Sequence, residues 1–97
     1  MENKKSTIDI LLLIEEAIKD RVVLSLVYRS ADNGNRSERY IEPLALYFTQ
    51  DRWMMIAYCR LRKNWRAFRL DAIVEIENTL DVFPPNQFEL SDYFEKK

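Results

Sequence analysis

Between Thr7 and Asp20, apolar side chains recur every three or four residues. Ile10, Leu13, Ile14, Ala17 and Ile18 form one stripe, which Leu11 and Leu12 widen. That spacing is the period of an α-helix. Ser6 or Thr7 is suited to cap it, and Asp9 adds an anion in the first turn, where the helix dipole favours one. So wide a stripe on so short a helix calls for cover on more than one side, from a sheet, with a second chain as a further candidate.

After Arg21 the period falls to two. In VVLSLVYR, Leu24, Leu26 and Tyr28 share a face opposite Ser25 and Arg29, the pattern of a half-buried strand. ADNGN, residues 31–35, contains an Asn-Gly pair and predicts a hairpin turn. A second strand is expected over about 37–42. Pro43 cannot donate to a ladder and so marks an edge, a bulge or a bend before LALYFT opens a third strand. Gln50 and Asp51 make the next turn. RWMMIAYC is apolar on both faces, as a strand covered on both sides would be. RLRKN follows as a basic loop, WRAFRL as a fifth strand, and the alternation after Asp71 predicts a last strand ending near Thr79. Pro84 and Pro85 stop regular structure, and the terminal FELSDYFEKK suits a short helix laying Leu90, Tyr93 and Phe94 on the body. The class expected is mainly β with α: an N-terminal helix over about 7–20, then a small, strongly bent antiparallel barrel of five or six strands over about 22–79, and a tail.

Composition narrows this further. A chain of 97 residues holds one core and hence a single domain. Cys59 is the only cysteine and histidine is absent, which excludes an internal disulfide and removes the usual zinc ligand sets. A reducing cytoplasm fits. The opening MENKKSTIDILLLI imitates a signal peptide, but Asp9, Glu15 and Glu16 interrupt or end its apolar run, so neither export nor a membrane anchor is expected.

Net charge is only -1, yet charge is segregated. Every charged residue from Arg52 to Arg69 is a cation, and every one from Asp71 to Glu95 is an anion. Either the chain presents a basic face, or the two blocks neutralise each other across neighbouring strands. Catalytic parts are missing: there is no histidine base and no glycine-rich phosphate loop, and Cys59 lies in apolar company where a thiol is inert. Neither an enzyme nor a cofactor is expected. Arginine among aromatics remains. Guanidinium binds phosphate and carboxylate bidentately, and a ring offers a stacking surface. Regular strand geometry puts Arg66 with Phe68 and Leu70 on one face, and Arg69 with Trp65 and Ala67 on the other, so the two arginines meet one ligand only across a bulge or strand end. Trp53, Tyr58 and Phe68 also fit a plain core role, since bulky rings dominate small cores.

The segments AIKDRVVLSLVYRS, RSERYIEPLALY, DRWMMIAYCR and WRAFRLDAI, in that order, resemble the pattern of a WYL domain over about 17–79. The resemblance implies an Sm-like, SH3-type barrel with an N-terminal helix, typically the regulatory part of a bacterial transcription regulator that lies after a helix-turn-helix domain. It implies an anionic effector, with single-stranded DNA, RNA or a nucleotide as the favoured class. Carried onto this sequence, the basic positions fall on Arg66, Arg69 and Arg39, and Trp53 matches the first letter of the family name. Met54 and Met55 stand where Tyr and Leu are usual, and Ala72 where an arginine is common; Tyr58 is the candidate to replace the lost ring. The expectation is a ligand-sensing module without catalysis. The alternative is a self-association or interdomain module, for example a homodimer, without a ligand of its own.

Overall fold

The computed structural model describes residues 6–29, 34–85 and 88–95. Helix α1 spans Thr7–Asp20 and begins on a reciprocal cap, in which the Ser6 hydroxyl accepts from the Asp9 amide and the Asp9 carboxylate accepts from the Ser6 amide. These bonds satisfy two of the amides that a helix start leaves without partners. It ends at Arg21, whose left-handed backbone closes the last turn on the Ala17 and Ile18 carbonyls. Ile10, Ile14 and Ala17 are the buried face.

Five antiparallel strands follow: β1 Val22–Arg29, β2 Arg36–Thr49, β3 Arg52–Cys59, β4 Asn64–Arg69 and β5 Ile73–Val82. They form one sheet in the order β4-β3-β2-β1-β5. A 3-10 turn, Leu70–Ala72, joins β4 to β5, and the short helix α2 covers Leu90–Glu95. The strand count is five because the two strands expected on either side of Pro43 are one. β2 runs through the proline, and its register against β3 shifts between Pro43 and Ala45. A bulge absorbs the missing donor and bends the strand instead of ending it. Its first half pairs with β1 and its second with β3, so the bend wraps the sheet around its own core.

Gln50 and Asp51 both have positive φ, 51° and 63°, the two-residue turn whose twist matches a hairpin. Most of the ADNGN turn lies outside the described residues. β5 runs three residues beyond the expected Thr79. The inner face gathers Leu24, Leu26, Ile41, Met55, Ala57, Cys59, Phe68 and Ile76, with α1 packed on it. Ile56 points to the outer face and is nonetheless fully buried. On that face the C-terminal segment lays Phe88 on Trp65 and Phe94 on Tyr47.

Candidate functional site

Strand order decides what the charge segregation does. The basic strands β3 and β4 lie at one edge of the sheet and the acidic β5 at the other, with β2 and β1 between. The blocks therefore do not neutralise each other across neighbouring strands. Among the described residues the ion pair between the blocks lies where the 3-10 turn joins them: Asp71 accepts from Arg69 Nε at 3.0 Å and Nη2 at 3.1 Å. Those hydrogen bonds hold the Asp71 carboxyl below its ordinary range against the opposing effect of partial burial, and the same bonds raise Arg69.

β4 pairs with β3 without a register shift, so no bulge intervenes between Arg66 and Arg69. Arg69 stands opposite Met54 on the outer face. Arg66 stands opposite Ala57 on the inner face, with its guanidinium carbon 5.6 Å from the centre of the Phe68 ring. Such a stack is attractive electrostatically and leaves the N–H edge of the guanidinium unused. Arg39 pairs with Leu26 and therefore also points inward. Its Nε donates to Ser37 Oγ at 3.3 Å and its Nη1 to Cys59 Sγ at 3.8 Å. Both arginines are half-buried. Among the described residues the ion pairs are Arg60 with Glu42 and Arg69 with Asp71, and neither Arg39 nor Arg66 has a carboxylate partner.

Of the sequence candidates, Arg39 and Arg66 thus come to one face. Tyr58 is on the outer face, edge-on to Trp65 at 6.5 Å between ring centres. Trp53 is on the inner face but near the far end of β3, packed against Phe48 at 5.3 Å. Four residues of extended chain, about 13 Å, separate its backbone from Ala57 beside Arg66. Met55 fills the core against Phe68, and Met54 belongs to the outer face. On that outer face, burial pushes the Tyr47 phenol up, with Tyr93 adding to the effect.

One participant escaped the sequence reading. Tyr28 follows Leu24 and Leu26 on the inner face, and its hydroxyl accepts from the Arg69 amide at 3.2 Å. Its ring meets Phe68 edge-on, 5.0 Å between centres at 85°. The available signal was its place as the last inward residue of β1, where a ring meets the rim. A separate recess of about 230 Å³ opens between Ile18, Arg21, Pro43, Phe83 and Phe88, with Arg21 as its one cation.

Comparison with known proteins agrees with this architecture. The WYL domain family model matches residues 9–78. The DNA-binding transcriptional repressor CapW of Pseudomonas aeruginosa is 35% identical over 65 residues, 67% of this chain and 22% of the repressor. CapW of Escherichia coli strain KTE188 is 30% identical over 70 residues, 72% of this chain and 23% of that protein. Among solved structures, proteasome accessory factor B/C (PafBC) of Arthrobacter aurescens superposes with a TM-score of 0.74 at 27% identity, covering 84% of this chain and 13% of PafBC. The chain spans less than a quarter of the length of these relatives. No helix among the described residues is long and apolar enough to cross a membrane. With the family model matched from α1 into β5 around the same helix and bent sheet, the chain belongs to the WYL domain family.

Proposed function

We propose that this WYL domain is a noncatalytic ligand-sensing regulatory domain that binds an anionic effector, a nucleotide or single-stranded nucleic acid, on the inner face of its sheet. The observation that carries the reading is the pair Arg39 and Arg66: half-buried, inward-facing and without a carboxylate partner among the described residues. A partly desolvated cation is costly unless an anion joins it, and a guanidinium already held by a ring or a hydroxyl needs little further ordering to take a phosphate. Arg69 is neutralised by Asp71 and faces away, so it stands outside this pair.

The relatives named DNA-binding transcriptional repressors support placing the domain in a bacterial transcription regulator, with a helix-turn-helix domain as its partner. Fluorescence anisotropy with short labelled single-stranded DNA and RNA tests the binding. Affinity should fall steeply with salt, because each neutralised phosphate releases counterions. The variant Arg39→Ala with Arg66→Ala should lose at least tenfold in affinity and flatten the salt dependence; unchanged binding by that variant would sink the proposal.

A second reading is self-association through α1, whose Ile8 and Leu12 are 67% and 56% exposed. Light scattering over a dilution series decides it, since a strict monomer at every concentration excludes a dimer.

A further inference from the structure

We infer that Tyr28 is a ligand-contacting residue of the inner face, the neutral donor that completes the anion site of Arg39 and Arg66, on whose existence this role depends. The phenol oxygen accepts from the Arg69 amide at 3.2 Å. A phenol also carries one hydrogen to donate, and among the described residues none accepts it. The edge-on contact with Phe68 holds the ring, so the hydroxyl is positioned before any ligand arrives.

Contacts lead from Tyr28 to both cations. Phe68, which it touches, carries the Arg66 guanidinium on its face. Ser37, its partner across β1 and β2, accepts from Arg39 Nε. Tyr28 is thus linked to each arginine through one intervening residue, Phe68 on one side and Ser37 on the other. The bond to Arg69 joins strands three places apart in the sheet, so the hydroxyl is fixed by the closure of the fold itself. A donor without charge beside two cations suits a phosphoryl group, whose several oxygens can serve guanidinium and phenol together.

The two kinds of contact differ in their response to salt. A cation that neutralises a phosphate changes both the affinity and its salt slope, whereas a neutral donor changes the affinity alone. Tyr28→Phe keeps the ring and its contact with Phe68 and removes only the hydroxyl. With a short 5′-labelled single-stranded DNA oligonucleotide, Y28F is expected to raise Kd about tenfold, as for one charge-assisted hydrogen bond. The slope of log Kd against log salt should match the wild type. Arg66→Ala should both raise Kd and reduce that slope by about one phosphate's share. Because the Arg69 amide loses its acceptor, Y28F should also melt about 5 °C lower, and titrations belong well below that transition. Wild-type affinity in Y28F overturns the assignment. A reduced salt slope in Y28F also overturns it, since the residue would then act only by placing Arg66. Absence of binding by the wild type at low salt overturns the arginine site, and Tyr28's role with it.

Discussion

Asp71 and Arg69 hold each other beside the turn after β4, and the pair illustrates how little an exposed ion pair stabilises. Arg69 donates twice to the Asp71 carboxylate, but the Asp71 side chain is 54% exposed. Water screens such a pair, so Asp71→Asn should cost only about 0.5 kcal/mol, and at most about 1. The sign with pH follows from the lowered carboxyl. Its folded value lies below the unfolded value of about 4, so the contribution is complete above pH 4 and is lost as pH falls through the folded value. Denaturation of the wild type and D71N at pH 7 and pH 2.5 checks this: a small gap at pH 7 should narrow in acid. Among the described residues Arg39 and Arg66 lack such a partner, which is why the proposed site rests on them and not on the more conspicuous Arg69. Period-two reasoning was enough to separate Arg66 from Arg69. Pairing Arg39 with Arg66 needed the strand order, because 26 residues of sequence lie between them.

Helix α1 was legible almost in full, since the stripe, the cap and the first-turn anion are all local signals and all point the same way. Ser6→Ala removes the acceptor for the Asp9 amide and should lower stability by about 1 kcal/mol, read as a shift of the urea midpoint with unchanged m. β2 was misread because proline's local rules describe the residue and not the strand around it. Pro43 forbids one ladder bond, yet β3 offers a partner on either side of the bulge and the strand continues. β5 exceeds its expected end for a related reason. The amide of Phe83, just past β5, donates to the Arg21 carbonyl at 2.9 Å, tying the end of β5 to the end of α1. No pattern within residues 80–83 encodes that distant partner.

Across the whole molecule, the C-terminal segment covers the outer face that α1 leaves bare. Phe88 against Trp65 and Phe94 against Tyr47 are among its ring contacts with the sheet. A chain ending after Phe83 keeps all five strands and should still melt cooperatively, but about 2 kcal/mol less stable, with Trp fluorescence shifted to the red as Trp65 loses cover. Retained stability and an unshifted spectrum would show that the segment adds nothing. By itself the sequence determined the helix, the number of turns around the apolar β3, the alternation that sets Arg66 against Arg69, and the separation of cations from anions along the chain. Each of these is a property of neighbours, readable because side-chain direction repeats at 3.6 or 2 residues. Only the tertiary structure decided that β3 and β4 take the opposite end of the strand order from β5, that the bend at Pro43 curls one continuous strand, and that Tyr28 reaches the Arg69 amide on the face that holds Arg39 and Arg66. Those depend on which strands become adjacent, and adjacency between distant segments is set by burying one shared core rather than by any local pattern.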